Sequence, residues 1–147
     1  MNMSKNVKVT QVLGYYAAGT TKRVSDIIDM ADYEGVMFVA ELGTLLENGT
    51  IDVFVEANAV NSTVGMTRLA TTTVATVTAT QATYTKSCIL VDVYQPTKRY
   101  IQANITPAVA NAVILGITAI QYKGKFQPAS NELTTLKATF LQSPAEV

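Results

Sequence analysis

The sequence predicts an all-β fold, an antiparallel sandwich or jelly roll with little helix and an extended C-terminal arm. Short runs rich in Val, Ile, Thr and Tyr recur about every ten residues, and turn-forming residues separate them. Helical periodicity is rare, and 147 residues are enough for one domain with a sizeable core. These observations favour packed antiparallel sheets over a helical or mixed fold.

The first half of the chain contains four predicted strands. Asn48-Gly49 is the strongest hairpin signal in the chain, and it precedes Thr50–Glu56, in which apolar and polar residues alternate. Val36–Ala40 is nearly all apolar, which is typical of a strand buried on both faces. The other elements of this half are strands at Lys8–Leu13 and Asp26–Met30 and a turn at Asp32–Gly35.

A threonine-rich segment occupies the middle of the chain, from Thr71 to Thr85. We predict a strand here, because β-branched threonine favours strand over helix. Thr76, Thr78 and Thr80 alternate with other residues and therefore fall on one face of this strand. Two interpretations stay open. The segment is either a solvated outer strand or an uncharged strand that meets a partner, since it lacks the Lys and Pro that usually protect sheet edges.

Three further strands are predicted in the second half. Ile89–Tyr94 and Tyr100–Ile105 are the first two, and Pro96 lies in their connection because proline cannot donate to a ladder. A proline in the first helical turn is favourable, so we expect a short helical turn near Pro107. A strand over Ala112–Tyr122 follows, for which a helix is the alternative.

We expect one β-sandwich domain over residues 1–126, beginning with an N-terminal strand and loop at residues 1–25. Gln127-Pro128 indicates a break into a C-terminal arm, residues 127–147. The arm has isolated apolar side chains that are too few for a core of their own: Leu133, Leu136, Phe140 and Leu141. These side chains need a surface on which to lie.

Composition argues against several classes of protein. The chain has eleven basic and eleven acidic residues, and nucleic-acid binding needs an excess of positive charge. Hydrophobic residues make up 48%, which argues against disorder. The absence of histidine removes Ser-His and Cys-His catalysis and histidine zinc sites. The one cysteine, Cys88, lies in an apolar run and is expected to be a small buried hydrophobe.

No motif predicts a metal site, a cofactor or a catalytic residue, so we expect that the protein is not an enzyme. A calcium loop beginning at Asp26 would need Gly and Glu where Ala31 and Met37 stand. The N-terminal residues lack the apolar core of a signal peptide, and no apolar run reaches the roughly 18 residues of a membrane span. We therefore expect synthesis in a cytoplasm and no membrane partner.

Lys98-Arg99-Tyr100 is the one compact basic and aromatic group in the sequence. Its charged side chains either face water in a solvated connection or anchor an interface. The second interpretation is based on Arg and Tyr, which are enriched at the energetic centres of protein interfaces.

Two runs, at residues 89–101 and 111–122, carry a resemblance: ILVDVYQPTKRYI and NAVILGITAIQY. They resemble a family of small structural proteins that tailed phages and prophages encode beside the major capsid gene. Asp32–Val39 also fits the early turn and strand of that family, and the resemblance spans roughly residues 26–124. It implies a capsid decoration, or cement, protein, which is a compact β-fold that sits on the shell as an oligomer and ties neighbouring capsomers together.

The resemblance implies a virion protein on the capsid surface that is made in the host bacterial cytoplasm. Its partners would be the major capsid protein and copies of itself, as a homodimer or homotrimer, without a cofactor, nucleic acid or membrane. The expected interface residues are Thr76, Thr78, Thr80, Lys98, Arg99, Tyr100, Leu136 and Phe140. Two alternatives stay open: another virion component such as a head fibre, neck or tail protein, and a β-sandwich carbohydrate-binding module.

Overall fold

A computed structural model shows two antiparallel sheets of six strands each. It describes residues 2–69, 75–79, 83–126 and 129. The elements in chain order are α1 (Met3–Asn6), β1 (Lys8–Leu13), β2 (Tyr16–Gly19), β3 (Arg23–Val24), β4 (Ile28–Asp29), β5 (Tyr33–Leu46), β6 (Thr50–Asn58), β7 (Thr67–Arg68), β8 (Ala75–Thr78), β9 (Thr83–Tyr84), β10 (Ser87–Tyr94), β11 (Tyr100–Ala108) and β12 (Ala112–Gly124). The predicted all-β sandwich with little helix is confirmed. The C-terminal arm lies outside the described residues, apart from Ala129.

Each sheet has four positions across its width. Sheet A has the order β1-β12-β5-β10, with β2 beside the start of β12 and β9 beside the end of β5. Sheet B has the order β3-β11-β6-β7, with β4 also beside β11 and β8 also beside β6. Long strands thus form the middle of both sheets, and the edge positions other than β10 are filled by short segments.

The core lies between the two sheets, where alternate residues of the long strands meet. In β6, apolar residues at every second position are buried, while the residues between them are half-buried on the outer face. Phe38 of β5 and Ile105 of β11 are fully buried between the sheets. Burial of one such side chain stabilises the fold by about 1.5–3 kcal/mol.

Asn48-Gly49 forms the predicted turn, but the predicted hairpin is wrong. Asn48 has a φ of 64°, and the amide of Gly49 donates to the carbonyl oxygen of Leu46 at 3.0 Å. The turn connects β5 of sheet A with β6 of sheet B, so the two strands are not paired with each other. The amide of Asn48 instead donates to the carbonyl oxygen of Ala79, and the amide of Ala79 donates to the carbonyl oxygen of Gly49, both at 2.9 Å.

The predicted helical turn near Pro107 is also wrong, because Pro107 lies in β11 opposite Ile51. The short β3 pairs only with Asn104 and Ile105 on the other side of β11, so the missing N–H of Pro107 interrupts no described ladder. A three-residue turn follows, in which the amide of Ala110 donates to Ala108 at 2.8 Å.

The strand predicted over Ala112–Tyr122 is confirmed as part of β12, and it contains a β-bulge. The pairing register shifts between Ile114 and Gly116, where Gly116 has a φ of 154°. A Cβ atom at Gly116 would lie 2.7 Å from the carbonyl oxygen of Leu13, which only glycine avoids. The bulge allows both Ile114 and Ile117 to face the core although they are three residues apart.

Several boundaries differ from the prediction, most of them because the strands of the structure are longer. The strand expected at Asp26–Met30 is shorter, since β4 covers only Ile28–Asp29. The turn expected at Asp32–Gly35 is shorter too, because β5 begins at Tyr33 and continues for 14 residues.

Candidate interaction surface

The predicted threonine strand lies at an edge of sheet B. Thr76 and Thr78 belong to β8, where they lie opposite Asp52 and Thr50 of β6. The side chain of Thr78 is exposed, whereas Thr80 lies outside the described residues. The described residues of the threonine-rich segment in β8 thus form an outer strand.

The basic and aromatic group Lys98-Arg99-Tyr100 is held by partners within the chain. Arg99 donates two hydrogen bonds of 2.7 Å to the carboxylate of Asp29 on β4. These bonds hold the pKa of Asp29 below its usual value. Lys98 donates to the hydroxyl of Thr67 at 3.3 Å, and the Arg99 guanidinium lies 5.0 Å from the Tyr100 ring centre. The group thus fastens the β10–β11 connection to β4 and β7.

The predicted interface residues do not form one patch. Tyr100 lies opposite Asn58 at one end of β6, and Thr78 lies opposite Thr50 at the other end. Eight residues of strand separate these positions by about 26 Å. Leu136 and Phe140 lie outside the described residues.

An apolar outer surface on sheet A was missed by the sequence analysis. We call it the apolar A face, and its members are Met37, Val39, Cys88, Leu90, Val113, Leu115 and Ile120. Each is half-buried or exposed, and each alternates along its strand with residues that face the core. Leu90 is 57% exposed and Leu115 is 44% exposed.

The pairing register places these side chains next to one another. Val39 of β5 lies between Thr118 of β12 and Leu90 of β10. Met37 lies between Ile120 and Asp92 in the next row towards the N-terminal end of β5. Val113 and Leu115 lie beside Gly43, on the other side of Glu41. Apolar side chains gathered on the outer face of three neighbouring strands are typical of interaction surfaces.

Cys88 belongs to this face and is exposed, so the expectation of a buried cysteine is wrong. The physical reason is the alternation of β10, in which Ile89, Val91 and Val93 are buried against the core. Cys88 precedes Ile89 and therefore faces outward.

Polar side chains close one end of the apolar A face. The Tyr122 ring lies over Gly35, and its hydroxyl donates to Asp92 of β10 at 2.6 Å. Burial and this hydrogen bond raise the pKa of Tyr122 to about 12. Beside it, the hydroxyl of Tyr94 donates to Glu34 at 3.0 Å and accepts from Lys123 at 3.2 Å.

A groove lies between this polar end and helix α1. Met37 and Ile120 of the apolar A face line it, together with Met3 and Val7. Its volume is about 570 Å³. Its polar lining residues are Asn6, Asp92, Tyr122 and Lys123.

The outer surface of sheet B has a different chemistry. Glu56 of β6 accepts hydrogen bonds of 3.0 Å from the side-chain amides of Gln102 and Asn104. Arg68 and Lys22 lie over the Phe54 ring, at 4.5 and 5.0 Å from its centre. Its polar groups therefore bond mainly to each other.

Two amide oxygens on this surface have no hydrogen-bond partner, Oε1 of Gln102 and Oδ1 of Asn104. Gln102 is only 3% exposed and Asn104 is fully buried. The side chains around these oxygens cover them, so they are not open to a ligand in this conformation.

The described part of the chain contains no group of three or more Cys, Asp or Glu side chains placed to hold a metal ion. Within the same residues, no helix has the length and apolar character needed to span a membrane.

These features define the protein as an antiparallel β-sandwich with one apolar and one polar outer face. No protein-family model and no curated protein matches the sequence. Among solved structures, the chain is similar to the PBSX exported protein XepA, a phage protein, with a TM-score of 0.51 and 17% identity over 97% of this chain and 46% of XepA. It also aligns with a structure of the infectious bursal disease virus Gx strain, with a TM-score of 0.45 and 13% identity over 83% of this chain and 33% of that one.

The chain spans less than half the length of either solved structure. At 17% identity, the likeness to XepA shows a shared fold. The β-sandwich of this chain is therefore one that a phage protein also adopts.

One signal in the sequence pointed to the apolar A face. The runs 36–40, 88–91 and 112–117 are nearly continuous in apolar residues, although an antiparallel sheet usually has one polar face. We interpreted the first run as a strand buried on both faces. In the structure Met37 and Val39 are only half-buried, so this strand is not buried on both faces.

Proposed function

We propose that the protein is a virion structural protein, a capsid decoration or cement subunit that binds the outside of a phage head and bridges neighbouring capsomers. The observation that carries this proposal is the apolar A face, in which half-buried and exposed apolar side chains gather on the outer side of three long strands. Such a surface gains free energy when another protein covers it.

The chemistry of this face suits a repeated contact on a shell. Glu41 lies between Cys88 and Gly116 within the face, and Asp92 lies beside Met37 at its polar end, so few charges must be desolvated on binding. A shell presents the same contact many times, and several modest contacts per oligomer add up through multivalency.

Two observations support a phage context. The fold is shared with the phage protein XepA, and residues 89–101 and 111–122 resemble phage decoration proteins. The resemblance supports the decoration role, and the fold supports only the wider class of phage-encoded β-sandwiches.

The proposed partners are the major capsid protein and further copies of this chain. Contact with the capsid is assigned to the apolar A face, and Thr78 on the edge strand β8 is proposed as a contact between copies. The proposal includes no catalysis, cofactor, nucleic acid or membrane. It places the protein on the capsid surface after synthesis in the host cytoplasm.

The test is to add purified protein to undecorated shells and to measure bound protein and the heat resistance of the shells. We expect saturable binding at a stoichiometry fixed by the shell symmetry. Leu90→Glu and Leu115→Glu are expected to weaken binding by about tenfold or more, because each places a charge in an apolar contact.

Val64→Glu is the matched control, because Val64 is 82% exposed in the loop between β6 and β7 and lies outside the apolar A face. All three substitutions are at exposed positions and are expected to change the free energy of unfolding by about 0.5 kcal/mol or less. Absence of binding at every salt concentration would contradict the proposal. Electron microscopy that places the protein on a neck, tail or fibre would assign it to another virion part.

A further inference from the structure

The groove beside α1 is an apolar site without an assigned occupant. Met37 and Ile120 lie on strands of sheet A, and Met3 and Val7 lie at α1. Met3 is 57% exposed, so its side chain has further apolar surface to bury. Methionine side chains adapt to partners of different shape, which makes two of them in one groove suitable for an extended peptide.

The end of the described chain lies next to this groove. The backbone amide of Ala129 donates to the carbonyl oxygen of Lys5 at 2.7 Å. Lys5 belongs to α1 and lies two residues from both Met3 and Val7. Ala129 therefore lies at α1, the helix that forms one side of the groove.

The 18 residues that follow have the composition of a groove-binding segment. Four apolar side chains, Leu133, Leu136, Phe140 and Leu141, are spaced among polar ones. A segment of 18 residues spans at most about 60 Å when extended. It is therefore long enough to cross a groove that lies next to its first residue.

We propose that residues 130–147 bind the groove of their own subunit, with Leu136 and Phe140 among the side chains that enter it. Attachment at Ala129 keeps the segment close to the groove, and a short tether corresponds to an effective concentration in the millimolar range. Binding within the subunit is therefore favoured over binding to a second copy.

This inference goes beyond the proposed function and does not depend on it. It assigns the groove end of the apolar A face to the segment, and it leaves Leu90 and Leu115 available for another protein. The sequence analysis expected Leu136 and Phe140 to contact a partner. Under this proposal they contact the groove of their own subunit instead.

Photo-crosslinking of the full chain tests the proposal. p-Benzoylphenylalanine replaces Phe140, the isolated protein is irradiated, and mass spectrometry locates the crosslinks. We expect crosslinks to Met3, Met37 or Ile120. An equal mixture of ¹⁴N- and ¹⁵N-labelled protein shows whether they join residues of one chain.

Charged substitutions in the groove provide the second measurement. Met37→Glu and Met3→Glu are expected to reduce the groove crosslinks by about tenfold, whereas Leu90→Glu on the same sheet leaves them unchanged. Met3 is exposed, so Met3→Glu keeps the test valid if Met37→Glu does not fold. Circular dichroism of each variant checks the fold.

Crosslinks that lie only outside the groove, or that join only different chains, would overturn the proposal. So would groove crosslinks that persist in both charged variants. No shell is present in these measurements, so their failure leaves the shell-binding test intact, and failure of shell binding leaves this proposal intact.

Discussion

Tyr122 connects three strands of sheet A through one side chain. It belongs to β12, its ring occupies the space above Gly35 of β5, and its hydroxyl donates to Asp92 of β10. A Cβ atom at position 35 would overlap with this ring. The absence of a side chain at Gly35 thus leaves room for the Tyr122 side chain to cross β5 and bond to β10.

Tyr122 makes the free energy of unfolding depend on pH in the alkaline range. Its pKa rises from 10.0 to about 12 in the folded protein because of burial and the hydrogen bond to Asp92. The unfolded chain loses this proton at lower pH than the folded chain, so the stabilisation is complete below pH 10 and is lost as the pH rises towards 12. Urea unfolding at pH 9, 10 and 11 of wild type and Tyr122→Phe measures this effect.

We expect wild type to lose more free energy of unfolding than Tyr122→Phe over this range, since the variant lacks the hydroxyl. The other tyrosines are common to both proteins, so the variant is its own control for them. Equal losses in the two proteins would contradict the assignment of the raised pKa to Tyr122.

Single residues also show where sequence reasoning stops. The contact between Tyr122 and Asp92 joins positions 30 residues apart and depends on the strand order of sheet A. The exposure of Cys88 depends on which face of β10 turns to the core. Both faces of that strand are apolar in part, so alternation alone does not decide its orientation.

At the scale of elements, the positions of most strands were predicted correctly, whereas the Asn48-Gly49 hairpin and the helical turn near Pro107 were not. The bounds predicted for Lys8–Leu13 are those of β1, and Ile89–Tyr94 lies within β10. Asn48-Gly49 does form a turn, but it joins two sheets. Turn chemistry is encoded by neighbouring residues, whereas strand pairing depends on contacts distant in sequence, and the Asn-Gly signal contains no information about them.

The turn between β11 and β12 contains a strained residue. Val109 has a φ of 68° at the centre of the three-residue turn, a conformation that β-branched residues rarely adopt. Val109 is 79% exposed, so little packing is lost when its side chain is removed. Val109→Gly is expected to raise the free energy of unfolding by about 1 kcal/mol, because relief of strain exceeds the entropy cost of glycine.

Thermal and urea unfolding of Val109→Gly measure this gain. Val64→Gly is the matched control, since Val64 is also an exposed loop valine but does not have a positive φ. The control is expected to lose about 0.5–1 kcal/mol, which is the usual cost of glycine. A loss of similar size in both variants would show that position 109 is not strained.

The outer face of sheet A is apolar and the outer face of sheet B is polar. The long strands of both sheets were predicted from the sequence, but this difference between the faces was not. Sheet B covers its outer surface with its own polar network around Glu56, whereas sheet A leaves Leu90 and Leu115 exposed. A run of apolar residues has the same sequence pattern whether its second face is covered by the same chain or by another protein. The candidate surface therefore required the three-dimensional arrangement.

Cys88 is a natural probe for this surface. Its exposed thiol is expected to react with a maleimide in the free protein and to be protected on decorated shells if the apolar A face is the capsid contact. The comparison is the rate of labelling with and without shells, measured by mass spectrometry.

The control is Val64→Cys in a Cys88→Ser background, which places the single thiol in a loop away from sheet A. It is expected to react equally in free and shell-bound protein. Equal labelling of Cys88 in both states would assign the capsid contact to another face.

Because β12 is a central strand of sheet A, this sheet is completed only late in synthesis. This strand lies between β1 and β5, so β1 emerges from the ribosome more than 100 residues before the only described strand that it pairs with. Closing such a long loop is slow, and mostly non-local β-topologies fold on the millisecond-to-second scale. Until residue 124 has been translated, the chain is therefore without the strand that completes this sheet, and a nascent polypeptide stalled earlier leaves the β12-facing edge of β5 unpaired.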